Sequence, residues 1–189
     1  MLSSNSHMPK PALRLAAAVA LLLGSAATQA ADSSHNFQLT AYSNGKGGSE
    51  LVSGDYAGAS KALHYRYSGL SRGDVGVNSN NRCVMLTVTK QWDSARTACD
   101  QAVRDAQQEK AMLPSYQYWA RKFQNDYLAV ALSNRAVLHW MSADSDAAAE
   151  DLKRAAALSP KASFVTHNQQ ALEYSHAKVA QVDVAPASN

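Results

Sequence analysis

Few residues in this chain are able to do chemistry, and they are spaced badly for it. Cys83 and Cys99 stand 16 residues apart, unlike the closely spaced, exposed pair of a thiol-exchange centre. The six histidines, His7, His35, His64, His139, His167 and His176, contain no His-x-x-x-His pair that a helix would turn toward one metal ion. Gly45-Lys46-Gly47-Gly48 lacks the Lys-Ser/Thr ending of a phosphate-cradling loop, and no Gly-x-Ser-x-Gly elbow presents a nucleophile. Asp144 and Asp146 fall among turn formers, where carboxylates serve as caps. The expectation is a protein without catalysis, metal or cofactor. What recurs instead is an amide: Asn81-Arg82-Cys83-Val84 and Asn134-Arg135-Ala136-Val137 are one motif repeated 53 residues apart. An asparagine side chain offers both a donor and an acceptor, the complement of a peptide unit.

The elements that must position these residues read as helices. From Ala129 to Pro160, Val130, Val137, Leu138 and Met141 recur at three- and four-residue steps, and so do Ala148, Leu152, Ala155 and Leu158, which gives two amphipathic helices. Between them Ser142-Ala143-Asp144-Ser145-Asp146 supplies turn formers and an N-cap, and Pro160 stops the second helix. Upstream, Ala95, Cys99 and Ala102 stand in register with Ala148, Leu152 and Ala155, so the pair is duplicated. Ser49 begins a further helical stretch interrupted at Gly54, and Ala162 to Gln181 carries another helix. Ser68 to Asn80, with three glycines, reads as a loop. Between the two copies, Pro114 marks a break, and Tyr116, Tyr118, Trp119 and Phe123 form an aromatic face. Packing over the junction is the favoured use of that face, and partner binding the sharper one. Residues 31–48 are polar and glycine-rich, with an alternation at Phe37, Leu39 and Ala41 that suits an extended arm lying on the domain.

Residues 1–30 read as a secretory signal, in which Lys10 and Arg14 lead into an apolar run from Leu15 to Leu23, with cleavage after Ala30 or, alternatively, Ala31. The apolar run is too short to span a bilayer, so no stable membrane anchor is expected after cleavage. The expected location is periplasmic or secreted, and the alanine-rich signal and the lack of Asn-x-Ser/Thr sequons suggest a bacterial source. Without the signal the chain carries 16 basic against 15 acidic groups. No basic stripe remains, and nucleic acid is not an expected partner. An even cysteine count in an exported chain points to a Cys83–Cys99 disulfide.

These spacings resemble the tetratricopeptide repeat (TPR), a 34-residue helical pair. Ala136, Ala148 and Ala155 fall at its small packing positions, Leu152 at its large one and Pro160 at its closing proline, while His139 replaces the usual aromatic and Ala143 the usual turn glycine. The resemblance implies an all-α fold, a short α-solenoid of antiparallel helix pairs over 49–181. It would hold two clear units, a degenerate N-terminal half unit and a C-terminal capping helix around Asn168, followed by a disordered tail over 182–189. In that register Cys83 and Cys99 face each other, and a staple closing about 16 residues would contribute about 3 kcal/mol.

The resemblance also implies a concave face made by the first helix of each pair, used to bind an extended or helical peptide. Asn80, Asn81, Val84, Thr87 and Val88 would line it in one unit, and Ser133, Asn134, Val137, Trp140 and Met141 in the next. The family's clamp for chaperone C-termini is not implied, since of its positions Asn80, Asn134, Phe164 and Asn168 only Asn134 fits. Asn81 and Asn134 have two readings: they hydrogen-bond the backbone of a ligand, or they hold adjacent helices together. The expected function is an exported scaffold for protein–protein or protein–peptide interaction, its partner an unidentified protein or peptide. The competing readings are a structural subunit of a cell-envelope assembly and an unrecognised periplasmic enzyme.

Overall fold

A computed structural model describes residues 36–64, 72–112 and 118–184. The expected signal over 1–30, residues 31–35 of the expected arm, Pro114, Tyr116 and residues 185–189 of the expected tail lie outside the described residues. Among the described residues the protein is all-helical: α1 (Gly48–Ser53), α2 (Tyr56–His64), α3 (Arg72–Val88), α4 (Trp92–Ala111), α5 (Tyr118–Met141), α6 (Ser145–Leu158) and α7 (Ser163–Val184). Each helix packs on the next along the chain, and α3 also touches α5, as α5 touches α7. None of the described helices is long and apolar enough to cross a membrane.

Three of the turns are built alike. After α1, α3 and α5 the chain closes through Gly54, Lys90 and Ala143, with φ of 80°, 57° and 62°. The next residue's amide reaches back to the last turn: Asp55 to the Glu50 carbonyl, Gln91 to Leu86 and Asp144 to His139. This is the Schellman closure, in which a left-handed residue frees the following amide to satisfy an orphan carbonyl. Glycine suits the first turn. Lysine and alanine take the same geometry in the others at a steric cost, because the closure and the helix packing beyond it over-determine the backbone. Two helix starts, those of α2 and α6, are capped by carboxylates, Asp55 accepting from the Gly58 amide and Asp144 from Ala147.

Small side chains bring the helices together. Ala95, Ala102, Ala136, Ala148 and Ala155 are at most 1% exposed, which allows interaxial distances near the short end of the usual 8–10 Å. Cys83 and Cys99 are joined, with their Cα atoms 4.6 Å apart, so α3 and α4 are covalently stapled in the core. The α5–α6 pair is tied differently. Arg135 donates from Nε and Nη2 to the two carboxylate oxygens of buried Asp151 at 2.7 and 2.8 Å, and from Nη1 to Asp100 on α4 at 2.9 Å. Hydrogen bonding to Asp151, partly offset by burial, holds the guanidinium further above its ordinary range.

Three expectations fail here. Residues 72–80 are helical, although Ser68 to Asn80 reads as a loop. The glycines that suggest a loop are tolerated because α3 packs closely there, and a Cβ at Gly76 would lie 3.1 Å from the Glu109 carboxylate on α4. The two aromatic side chains of that face that are described do not pack inward either: Trp119 is 72% and Phe123 66% exposed, so their helical spacing marks an outer surface of α5. Helix α7 continues to Val184, past the start of the expected tail at 182.

Candidate functional site

The site is built by three asparagines, one on each of α3, α5 and α7. Asn81, Asn134 and Asn168 are each fully buried, and a buried amide must find partners for both its donor and its acceptor. They find them on the extended segment from Asn36 to Tyr42. The Gln38 amide donates to Asn168 Oδ1 at 2.7 Å, and Asn168 Nδ2 donates to the Gln38 carbonyl at 2.9 Å. Asn134 holds Thr40 in the same way, with both bonds at 2.8 Å. Asn81 holds Tyr42 at 2.8 and 2.9 Å and donates again to the Lys46 carbonyl at 3.1 Å. A main-chain N–H only donates and a carbonyl only accepts, so the orientation of each amide is settled by its partner.

Residues on both sides of the asparagines fix them. Asn134 Nδ2 also donates to Asn80 Oδ1 at 2.9 Å, while Asn80 donates to the Thr40 carbonyl at 3.0 Å. Asn168 Nδ2 donates to Ser133 Oγ at 2.9 Å. The amides therefore tie α3 to α5 and α5 to α7, one of the two uses read from the sequence, and the main chain they bond is the protein's own arm. His167 Nε2 lies 2.7 Å from the Asn36 carbonyl, which makes that nitrogen the protonated one.

Alternate side chains of the arm fill apolar space. Phe37 stacks on Trp140 with ring centroids 5.2 Å apart, and Trp140 has the His176 ring 6.3 Å away on α7. Leu39 and Ala41 pack against the main core cluster that includes Val84 and Leu132. At the inner end the Tyr42 ring lies 5.0 Å from that of Tyr127. Burial, with the nearby Tyr127, Asp126 and Glu109, pushes the Tyr42 phenol far above its ordinary value and keeps it neutral. The chain then turns sharply. Gly45 donates to the Tyr42 carbonyl, Lys46 donates to Asn78 Oδ1 at 2.8 Å, and a Cβ on Gly48 would lie 1.8 Å from the Tyr42 oxygen, so only glycine allows that approach.

The residues expected to line a concave face divide into three groups. Asn80, Asn81, Ser133, Asn134 and Trp140 meet the arm or orient the amides that do. Val84, Val88 and Val137 are core or core-packed residues. Thr87 does not serve the groove: its hydroxyl donates to the Cys83 carbonyl and sits 3.9 Å from the Cys99 sulfur, as a threonine bonding back along its own helix does. Met141 is 41% exposed at the end of α5. Asn168, on the helix expected as the C-terminal cap, is the third clasp. Its signal was its place in register with Asn81 and Asn134. Asn78 and His167 had no such signal, because their partners are main-chain atoms of a distant segment.

Chemically, the arrangement reads peptide units rather than side chains. Among the described residues no three His, Cys, Asp or Glu side chains are grouped to hold a metal ion. No family model, curated protein or solved structure matches the chain.

Proposed function

We propose that the protein is an exported, TPR-like short α-solenoid whose concave face binds an extended segment of polypeptide, and that it acts as an interaction scaffold. The observation that carries this reading is the set of three buried asparagines on α3, α5 and α7, each taking the N–H and C=O of one residue in an extended strand. Such a ladder supplies affinity through the main chain and leaves specificity to a few side-chain pockets, the division of labour seen where proteins recognise extended peptides. The disulfide supports an oxidising compartment and hence export. The repeat resemblance supports the solenoid: the same register that places Asn81 and Asn134 on neighbouring pairs also places Asn168 on the helix that follows.

The test is recovery of partner from envelope extract by the full-length protein and by Asn134→Ala with Trp140→Ala, with circular dichroism showing both folded. Loss of the partner with the double variant is the expected outcome. Unchanged recovery would move the interaction to the outer helices and favour a structural subunit of an envelope assembly, a reading that the exposed Trp119 and Phe123 on α5 support.

A further inference from the structure

The arm is held unevenly along its length. From Tyr42 to Lys46 it is fixed by Asn81, which accepts from the Tyr42 amide and donates to the Tyr42 and Lys46 carbonyls, by the Tyr42–Gly45 turn, by the Lys46 amide on Asn78 and by the ring of Tyr127. Toward Asn36 no turn of the arm's own adds to the clasps: Gln38 has two bonds with Asn168, Thr40 two with Asn134 and one from Asn80, and Asn36 one from His167, while Asn36 and Gln38 are exposed and the main side-chain anchor is Phe37 on Trp140. The asparagines, meanwhile, are indifferent to whose peptide units they bond. An empty groove would leave Asn134 and Asn168 as buried amides short of partners, which is costly, but another extended strand restores every bond.

We propose that residues 36–40 are a self-ligand that plugs the groove and is exchanged, in a hand-over, for an extended segment of a different protein. This rests on reading the groove as a peptide site. The incoming segment takes the Asn134 and Asn168 clasps while Tyr42 and its turn stay in place. Its side chains follow the pattern that the arm satisfies: an aromatic residue against Trp140 where Phe37 sits, any residue at the exposed place of Gln38, an aliphatic residue for Leu39 and a small residue for Thr40. A second copy of this chain is disfavoured as occupant, because its arm is pinned at the turn onto its own α3 and would have to undo the Asn78 and Asn81 bonds to reach across. Tethering sets the arm's effective concentration at about millimolar, so a ligand competes at a disadvantage until the arm is weakened.

The experiment uses the full-length, disulfide-bonded protein and a fluorescent synthetic peptide of residues 36–40, with a peptide of the same composition in scrambled order as control. Phe37→Ala with Thr40→Pro weakens the arm, because it removes the Trp140 stack and the N–H that Asn134 accepts. The expected result is that this variant binds the arm peptide at least tenfold more tightly than the unmodified protein does and tenfold more tightly than the scrambled one. Equal affinity for the two proteins would overturn the plug but keep the peptide site. No binding by a folded variant would overturn the peptide site itself. Hydrogen exchange on the unmodified protein tests the uneven hold without any variant: the Gln38 and Thr40 amides should exchange at least 100-fold faster than Tyr42 and the α5 core. Uniform slow exchange would make the arm a fixed part of the fold. A concentration-dependent dimer that exchanges arms would assign the groove to a second copy and overturn the proposed occupant.

Discussion

The α3–α4 and α5–α6 hairpins share an Asn-Arg-x-Val motif in their first helix and the same left-handed turn between their helices, yet they are locked by different chemistry. In the first, Cys83 and Cys99 form a bond through the core. In the second, Ala136 and Leu152 stand in the matching places and pack without a bond, while Arg135 grips Asp151 and reaches Asp100 on the preceding helix. The first hairpin could not copy this, since Ala98 stands where Asp151 would be and Arg82 points to solvent. The asparagine is the same in both and does the same work on the arm. Locking the helices and clasping the strand are therefore separable tasks, and one scaffold position accepts a covalent or an apolar solution while its neighbour is held to a single residue type.

The largest effect that would break this comparison is expected at Arg135. Its replacement by alanine leaves Asp151 buried with only Arg154, 3.3 Å away, as a nearby strong cation. Loss of about 3–5 kcal/mol is expected, toward the lower end because of Arg154, and urea unfolding will measure it. A loss below about 1 kcal/mol would show that the ion pair does not lock the second hairpin. Replacing both cysteines with serine should cost about 3 kcal/mol, matched by reduction of the unmodified protein. Equal melting with and without reductant would contradict the staple's role.

Smaller effects sharpen the likeness of the turns. Lys90→Gly and Ala143→Gly should each stabilise by about 0.5–1 kcal/mol, because both residues hold a positive φ that glycine adopts without strain. Destabilisation by either would mean that its side chain contributes more than its backbone costs. The smallest effect concerns pH and centres on Glu109 of the first hairpin. Burial, opposed by hydrogen bonds from Gly76 and Gln124, holds the Glu109 carboxyl above the ordinary 4.5. The folded chain then binds that proton more tightly than the unfolded one, so this contribution is fully present below 4.5 and is lost as pH rises through the folded value. Glu109→Gln should flatten that slope in melting temperature against pH, and an unchanged slope would assign it to other groups.

Much of this was legible in the chain and some was not, for physical reasons. Ala136, Ala148 and Ala155 are fully buried because helix periodicity reports which side faces a neighbour, and the cysteine pairing followed from the same register. Position on a face does not distinguish kinds of burial, which is why Thr87 was assigned to a groove when it bonds along its own helix beside the disulfide. Glycine content suggested a loop over 72–80 because intrinsic propensity carries no knowledge of the helix that packs there. The aromatic spacing of Trp119 and Phe123 was equally blind to which side of α5 is outermost. The arm's alternation was visible at Phe37, Leu39 and Ala41, but its partners lie up to 131 residues away, and no local pattern names so distant a contact.

The three clasped residues, Gln38, Thr40 and Tyr42, are two apart, and that interval makes the groove a ruler. In an extended strand the intervening residues present their peptide units to the opposite side, so a slide of one residue would offer the asparagines nothing and turn Leu39 away from the core. A slide of two residues, about 6.6 Å, restores every amide pairing. Phe37 against Trp140 at one end and Tyr42 against Tyr127 at the other then tell one setting from the next, so a strand in this groove advances in whole steps and an aromatic ring at each end marks zero.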